Sequence, residues 1–271
     1  MTQITAKVVA DSVNTYDQRI TTLELQYPRF IHSEFLTHRV FSRSAASSRA
    51  IPVAKMIEQV RRDPAMPIHW GQNQPGMQAK VEVQHKLHAE DLWRQAARKA
   101  ADQAEELAAI GLHKQVVNRV LEPFQLMRAI ATSTTWDNFF DLRAHEDAQP
   151  EIHALAVAML DAFADSQPVK RITQDDWHLP YITDRERAIL NPTLLPKLST
   201  ARCARVSYLT HDGQTPDIDK DLELFERLVG STPIHASPSE HQAYPSLFAD
   251  QQSGNFTGWV QHRKLIERAF K

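Results

Sequence analysis

A segment from Phe30 to Pro52 holds the densest group of side chains in the chain that could bind an anion. Arginine donates paired hydrogen bonds to planar anions, and serine hydroxyls add short ones, so this composition suits a phosphate or another planar anion. A solvated, serine-rich loop after a helix would have the same composition, and both interpretations stay open at this point. The side chains concerned are His38, Arg39, Arg43, Arg49, Ser42, Ser44, Ser47 and Ser48.

Arginines from distant segments could complete such a site. Each of them, taken alone, has the character of an ordinary surface charge. If the fold brought them together with nearby hydroxyl and amide groups, they could surround a planar, anionic ligand such as a nucleotide. The side chains that could meet in this way are Arg39, Arg49, Arg119, Arg143, Ser47 and Asn138.

Several common kinds of active site lack their signatures here. The chain has 13 His but no HExxH, no CxxC and no tight cluster at ligand spacing, so we predict no metal site. It has no GxSxG for a serine hydrolase, and neither GxGxxG nor GxxxxGK[ST] for a glycine-rich phosphate loop. The single Cys203 has arginines nearby that could lower its pKa, but we expect a buried, structural residue.

The overall composition is that of an ordinary soluble globular protein, with 42% hydrophobic and 24% charged residues among 271. A formal charge of −2 and a pI near 6.7 provide no general attraction to nucleic acid or membrane, so any anion site must be local. The single cysteine fits a reducing compartment, no run of about 18 apolar residues could span a membrane, and the N-terminus lacks a secretory signal. We therefore expect a cytoplasmic protein without membrane or nucleic-acid partners.

Strands and helices are predicted to position the arginine- and serine-rich segment. Alternating apolar residues indicate strands, apolar residues at helical spacing indicate helices, and a concentration of prolines indicates irregular chain. A short helix would carry His38 to the beginning of the loop. In the first half these patterns predict strands over 4–10 and 20–27, a helix over 31–40, irregular chain over 53–80, a long helix over 83–110 capped by Gly111, and a helix over 113–121.

The second half is predicted to be mostly helical. The first of its helices is amphipathic, with Phe139, Phe140 and Leu142 expected to pack inward. A later helix would present Arg202 and Arg205. The predicted elements are helices over 136–143 and from Pro150, a proline-containing connector over 166–198, helices over 199–209 and from its cap Asp219 to Val229 with Gly230 closing it, and a helix at the C-terminus.

The stretch LTHRVFSRSAASSRAI resembles the signature of the flavin-dependent thymidylate synthases, the ThyX family. That signature reads R-H-R, seven residues and then S. This chain supplies Thr37-His38-Arg39, seven residues and then Ser47, and places Arg49 where the family has a later arginine.

Two further stretches resemble patterns of the same family. WDNFFDLRAHEDAQPEI is similar to N-F-x-x-L-R followed by A-Q-x-E-I, which matches Asn138 and Arg143. NRVLEP is similar to A-R-x-V-L-P, which matches Arg119. The resemblance therefore extends over widely separated parts of the chain.

A last family landmark lies at the opposite end of the chain from its usual place. The family begins with a segment like R-A-A-R-V-S, a helix and H-x-T-P-F-E-H, whereas here the similar residues are Arg202–Ser207 and His235–His241. Reading 199–245 and then 1–165 restores the family order, and such permutation is tolerated where surface termini lie close together. The resemblance thus implies one ThyX-like domain over 1–271, circularly permuted, with an α+β fold of antiparallel sheet and long helices.

The resemblance implies a transferase of dTMP biosynthesis. Members bind FAD, take hydride from NADPH and move a one-carbon unit from methylenetetrahydrofolate to C5 of dUMP. It also implies a homotetramer with sites shared between subunits. The implied FAD contacts are His38, Arg39, Asn138, His235, Ser237 and Glu240. The implied substrate contacts are Glu34, Ser47, Arg49, Arg119 and Arg143, of which Arg143 would be catalytic by stabilising charge on the pyrimidine.

The chain departs from the family pattern where members contact the nucleotide. Thr37 replaces the first arginine of the signature, Ser44-Ala45 replaces an Asn-Glu pair, and Glu34 replaces a glutamine. A carboxylate at position 34 could accept a hydrogen bond from the exocyclic amine of cytosine. Modification of another pyrimidine nucleotide, such as dCMP, is therefore an alternative to dUMP, and a non-catalytic nucleotide-binding relative is a third interpretation.

Overall fold

The computed structural model of the chain describes residues 3–208 and 217–269. Its central sheet contains β1 (Thr5–Val13), β2 (Arg19–Pro28), β3 (Ser42–Ala45), β4 (Leu126–Ser133) and β5 (Val169–Lys170). The strand order is β3-β4-β2-β1-β5, and all neighbours are antiparallel except β1 and β5. The predicted antiparallel sheet and both predicted N-terminal strands are confirmed.

The helices between residues 32 and 164 cover one face of this sheet. Residues pointing to that face, such as Leu23 and Leu25 of β2 and Ala129 of β4, are buried in one large apolar core. Successive strand residues point to opposite faces, which is why every second residue enters this core. The helices are α1 (His32–Leu36), α2 (Val53–Arg62), α3 (Lys86–Ala109), α4 (Lys114–Val120), α5 (Asp137–Arg143) and α6 (Pro150–Ala164).

The C-terminal part of the chain covers the other face. Ile130, which points there from β4, packs against Cys203 and Val206. The elements are α7 (Asp184–Ile189), α8 (Leu195–Tyr208), α9 (Ile218–Val229), β6 (Ala243–Pro245), β7 (Gln252–Ser253), β8 (Phe256–Thr257), β9 (Trp259–Gln261) and α10 (His262–Ala269). The sheet is thus the middle of three layers. None of the described helices combines the length and the apolar character that crossing a membrane requires.

Several predicted elements need correction. Helix α2 occupies part of the region predicted to be irregular, because the prolines lie outside the helix and Met56, Ile57 and Val60 form a buried face inside it. Helix α1 ends at Leu36, so His38 lies in the turn that follows it. Leu142 does not pack inward but is 54% exposed. Gly111 adopts a φ of +86°, the left-handed conformation expected after the end of α3.

The elements around the predicted connector also differ from the prediction. Residues 166–198 contain β5, helix α7 and the beginning of α8, so they are not merely a connector. Helix α9 is capped by Asp217, whose carboxylate accepts from the Lys220 backbone amide, rather than by Asp219. Gly230 ends α9 in a right-handed conformation. The predicted end of the preceding helix at Leu209 lies outside the described residues.

The sequence predicted a helix that presents Arg202 and Arg205, but in helix α8 both side chains are engaged in ion pairs. The Arg202 side chain is 2% exposed and forms ion pairs with Glu186, at 2.6 Å, and with Asp221, at 2.9 Å. Arg205 pairs with the same Asp221 carboxylate at 2.7 Å. These charges satisfy one another between α7, α8 and α9, so their role is to hold the C-terminal layer together.

A chain of buried hydrogen bonds fastens that layer to the sheet. It joins polar side chains on four strands through two buried histidines, His178 and His241. From one hydrogen bond to the next, the distances are 3.0 Å for Ser12 Oγ–His178 Nδ1, 2.8 Å for His178 Nε2–Thr22 Oγ1, 2.7 Å for Thr22 Oγ1–Thr132 Oγ1, and 2.9 Å for Thr132 Oγ1–His241 Nδ1. His241 Nε2 then meets Ser44 Oγ on a fourth strand at 3.0 Å. Burial keeps both rings neutral, and because each link needs one proton, the two neutral rings must share one tautomer.

Three buried histidines, the two of this hydrogen-bond chain and His262, predict a steep loss of stability in acid. Burial lowers the pKa of His241 to about 3 and of His262 to about 4, and lowers that of His178 well below its usual value. The unfolded chain takes up these protons below a pH of about 6.5 and the folded chain does not. The histidines therefore cost no stability above that pH. As the pH falls towards the pKa of the folded state, the free energy of unfolding decreases by up to about 1.4 kcal/mol per pH unit for each histidine.

Urea unfolding measured between pH 7 and pH 4.5 tests this expectation. The His241→Asn variant should take up about one proton fewer on unfolding than the unmodified chain. His88→Gln, which alters an exposed residue of α3, should leave the uptake unchanged. A free energy of unfolding that stays constant over this range would contradict the prediction.

Candidate active site

Two of the predicted site residues, from segments a hundred residues apart, are in direct contact. Arg143 Nε at the end of α5 donates a hydrogen bond to His38 Nε2, at 3.0 Å. The His38 ring is packed edge-on against Phe139, with 4.8 Å between ring centroids, and lies parallel to Phe41. Since Nε2 accepts this bond, the ring proton lies on Nδ1 and His38 is neutral. Burial, then the charges of Arg143 and Arg43, lower the pKa of His38 accordingly.

Arg43 on β3 holds the turn that carries His38. Its guanidinium donates to the carbonyl oxygens of Leu36, at 2.8 Å, and of His38, at 3.3 Å. These carbonyls lie at and beyond the C-terminal end of α1, where backbone acceptors lack helical partners and a cation is favourable. Arg43 therefore connects the sheet edge to the His38–Arg143 pair, the name used below for these two side chains.

A cavity of about 1200 Å³ opens beside the His38–Arg143 pair. Arg143 and Glu34 both line it, together with aromatic groups that include Phe30 and Trp93. Its volume is sufficient for a nucleotide, and the combination of aromatic walls with a few charged groups is typical of ligand sites. Arg143 has no ion-pair partner within 4 Å among the described residues, so its charge remains available to a ligand.

The predicted phosphate-binding residues are only partly brought together. Ser47 and Arg49 lie in a turn that Asn118 of α4 supports, by donating to the carbonyls of Ser48 and Ile51 at 2.7 and 3.0 Å. Arg49 is exposed. Arg119 follows Asn118 but points to the surface, where it pairs with Glu122 at 2.8 Å. The helix of Arg119 thus contacts the turn, whereas Arg119 itself is engaged elsewhere.

The segment 235–241 lies against β3. His241 contacts Ser44 Oγ, and Gln261 donates both to Ser42 Oγ and to the Glu240 carbonyl, at 3.1 Å each. Glu240 is half-buried and its carboxylate pairs with Arg263. His235 and Ser237 are exposed. The permuted domain order itself stays a prediction.

The surface around the His38–Arg143 pair combines apolar and polar groups. Leu36, Val40 and Leu142 remain 42%, 47% and 54% exposed. Asn138, which is exposed, lies four residues before Leu142 on α5 and therefore on the same side of that helix. Arg39 is exposed next to Val40. A ligand with an apolar planar part and anionic or carbonyl groups would match this surface.

Other chemistry receives no support from the described residues. Within 3–208 and 217–269, no three His, Cys, Asp or Glu side chains lie close enough together to hold a metal ion. Cys203 is fully buried and accepts from Gln242 Nε2 at 3.3 Å. Burial raises the pKa of this thiol, which makes it a poor nucleophile.

The motif comparison assigned no role to three residues near the site. Arg43, named only as part of the arginine- and serine-rich segment, contacts the turn of His38, and Gln261 and Arg263 near the C-terminus contact Ser42 and Glu240. Ser42 and Ser44 alternate with Arg43, which is a strand pattern. It could have indicated that Arg43 points to the opposite face of the strand from the two serines. Nothing local in the sequence indicates that Gln261 reaches β3.

The chain is similar to known proteins both in sequence and in fold. A family model described as thymidylate synthase complementing protein matches residues 14–169. A solved structure, the UMP/dUMP methylase PolB from Streptomyces cacaoi bound with 5-Br dUMP, has a TM-score of 0.50 and 15% identity over 60% of this chain and 91% of that chain. PolB bound with 5-Br UMP gives a TM-score of 0.49 and 18% identity over 60% and 90%. The likeness to the first shows a shared fold. No curated protein matches the sequence significantly.

Proposed function

We propose that this chain, which belongs to the thymidylate synthase complementing protein family and is a methyltransferase enzyme, methylates C5 of dUMP with FAD as cofactor. In the proposed reaction, methylenetetrahydrofolate provides the one-carbon unit and NADPH provides a hydride. With one proton taken up, the products are dTMP, tetrahydrofolate and NADP⁺. The family match covers the His38–Arg143 pair, Glu34 and the turn with Ser47 and Arg49, all within residues 14–169.

The observation that carries the proposal is the position of Arg143. It contacts His38 on one side and lines the 1200 Å³ cavity on the other. A guanidinium fixed in this way can stabilise negative charge that develops on a pyrimidine ring without reorganising during the reaction. His38 is neutral, so it orients Arg143 Nε without competing for the charge. PolB, which shares the fold, is described as acting on UMP and dUMP, in agreement with a pyrimidine nucleotide.

The surface around the His38–Arg143 pair fits FAD. Its exposed leucine and valine side chains suit the planar isoalloxazine ring, and the neighbouring guanidinium and amide donors suit the pyrophosphate and the ring carbonyls. Bound FAD would supply the reducing equivalents for the transfer. The residues that would hold it are His38, Arg39 and Asn138, with His235, Ser237 and Glu240 from the segment against β3.

The nucleotide phosphate is proposed to bind at the turn after β3. Ser47 and Arg49 are available there, and Arg119 would have to leave Glu122 to join them. A ligand phosphate could draw it away, because an exposed ion pair contributes little free energy. We further propose a cytoplasmic homotetramer in which neighbouring subunits share sites, as the family resemblance implies.

A cytosine nucleotide is the second candidate, and Glu34 is the observation that favours it. This carboxylate lines the same cavity as Arg143. A carboxylate accepts hydrogen bonds, as the exocyclic amine of cytosine requires, whereas it would repel O4 of uracil. The nucleotide substrate could therefore be dCMP instead of dUMP.

Tritium release from C5-labelled nucleotides tests both candidates. Purified protein should bind added FAD and show a flavin absorption spectrum, and with NADPH and methylenetetrahydrofolate it should release tritium from dUMP. Release from dCMP alone would establish the second candidate. A protein that refuses FAD, or that binds nucleotide and releases no tritium from either compound, would refute the proposed function.

The Glu34→Gln variant should change the choice of base. We expect it to raise the ratio of kcat/KM for dUMP to that for dCMP by about tenfold or more, because an amide can both donate to O4 and accept from N3 of uracil. Glu146→Gln is a matched control, since Glu146 also lines the cavity, and it should leave the ratio unchanged. An unchanged ratio in Glu34→Gln would show that Glu34 does not face the base.

A further inference from the structure

The C-terminal segment 252–269 is built around β9 and contacts the sheet at several points. Trp259 Nε1 donates to the Gln18 carbonyl at 3.1 Å, and the Thr257 amide donates to Thr134 Oγ1 at 3.2 Å. Trp259 is completely buried. Gly254 lies so close to Gln261 that an added Cβ would be 2.2 Å from its amide oxygen. The segment is therefore closely packed against the strands rather than appended to them.

The segment contacts β3 on the face of the sheet that the C-terminal layer covers, the face to which Ser42 and Ser44 point. Among the described strands, β3 is an edge strand of four residues whose one neighbour is β4. Gln261 is 2% exposed, and its single amide group donates to Ser42 Oγ and to the Glu240 carbonyl at 3.1 Å each. Arg263, in the first turn of α10, pairs with the Glu240 carboxylate. Two residues of the C-terminal segment thus fix Glu240 and, through Ser42, the strand itself.

The strand held in this way carries Arg43, which follows Ser42 directly. Arg43 donates to the carbonyls of Leu36 and His38, and His38 accepts from Arg143. A continuous set of contacts therefore runs from α10 through Glu240 and β3 to the catalytic guanidinium. A short edge strand has few hydrogen bonds of its own, so its position depends on such outside contacts.

We propose that Gln261 and Arg263 are positioning residues of the active site, which hold β3 and thereby keep Arg43 on the turn of His38 and His38 against Arg143. This inference rests on the proposed function, which makes Arg143 the catalytic residue. It gives a role to a C-terminal segment that lies outside the family match of 14–169. Neither residue touches the cavity; both act through the strand.

The titration of His38 reports this positioning without FAD or substrate. Arg43 and Arg143 contribute to lowering the pKa of His38, so displacement of either guanidinium should raise it. In protein labelled at histidine, NMR of the Arg263→Gln variant should show the His38 midpoint about one pH unit higher than in the unmodified chain. Arg263→Lys, which keeps a cation opposite Glu240, should restore most of the original midpoint.

A double variant separates positioning from a simple change of charge. Arg263→Gln leaves Glu240 without its partner, and this uncompensated charge could itself affect His38. In Arg263→Gln/Glu240→Gln both charges are absent, so a purely electrostatic effect would return the midpoint to its original value. We expect the midpoint to remain high, because the contact is still missing. Lys264→Gln on the same helix, which loses only a pair with Glu267, is the matched control and should titrate like the unmodified chain.

Activity measurements complete the test. Arg263→Gln and Gln261→Met should lower kcat, measured at saturating FAD, by about tenfold or more, because small displacements of catalytic groups are costly. A His38 midpoint unchanged in Arg263→Gln, or restored in the double variant, would overturn the inference. A chain without methyltransferase activity would refute the proposed function, but the His38 titration would still decide the positioning.

Discussion

The Arg143→Ala variant is expected to lose about 10²- to 10³-fold in kcat while it retains FAD. Arg143 lines the cavity and has no carboxylate partner among the described residues, so its charge is directed to the ligand. A preorganised donor of this kind stabilises the transition state more than the ground state. The KM for the nucleotide should therefore change much less than kcat. Tritium release measures kcat and KM, and the flavin absorption spectrum of the same preparation measures the retention of FAD.

Two further variants make this expectation specific to the geometry. Arg143→Lys keeps a positive charge but not the planar, multiple donors, and it should recover only a small part of the lost activity. Asp141→Asn changes an exposed residue of the same helix and should leave kcat unchanged. Turnover in Arg143→Ala that equals that of the unmodified chain would disprove the catalytic role.

The Arg202→Met variant is expected to lower the free energy of unfolding by about 3–5 kcal/mol. Arg202 is almost completely buried between Glu186 and Asp221, and Asp221 is itself 1% exposed. Methionine would fill much of the volume but would leave two carboxylates with less compensation in a site that excludes water. Hydrogen bonds from Arg202 help to hold the pKa of Glu186 at about 2, although burial opposes this. Urea unfolding followed by circular dichroism at pH 7 measures the loss.

An exposed ion pair provides the comparison. Lys220 pairs with Asp217 at 3.1 Å at the beginning of α9, where both side chains are largely in solvent. Lys220→Met should shift the midpoint of unfolding very little, since water screens such pairs. Equal effects of the two substitutions would mean that the buried network does not stabilise the C-terminal layer. Because this layer holds the active-site strand, Arg202→Met should also lower the temperature at which activity is lost.

Regular elements with a clear hydrophobic period were predictable from the sequence. The strand with Leu23 and Leu25 and the long helices α3 and α6 follow local repeats of two and 3.6 residues, which need no tertiary information. Helix α2 was missed because prolines near it suggested irregular chain, although Met56, Ile57 and Val60 have helical spacing. Such errors arise where local signals for two structures compete.

The family was identified from the sequence alone, and the residues proposed to carry its chemistry were named from the same motifs. The spacing of His38, Ser47 and Arg49 and the pattern around Arg143 resemble one family, and the match over residues 14–169 agrees. The resemblance assigned His38 to the flavin and Arg143 to the pyrimidine, and the hydrogen bond between the two side chains was not predicted from the sequence. The likeness identified which residues could form a site, and their distances had to come from the fold.

Only the tertiary structure decided how the charged side chains are paired. Arg119 meets Glu122, Arg202 meets Asp221, and Glu240 meets Arg263, each against or beyond what the sequence suggested. The physical reason is that an ion pair depends on distances of a few ångströms between groups that the backbone brings together, and hydrophobic periodicity does not encode such distances. The arginine- and serine-rich segment shows both aspects. Its composition was compatible with an anion site or a solvated loop, whereas its contacts with Gln261 and with the Glu240–Arg263 pair at the far end of the chain are visible only in the fold.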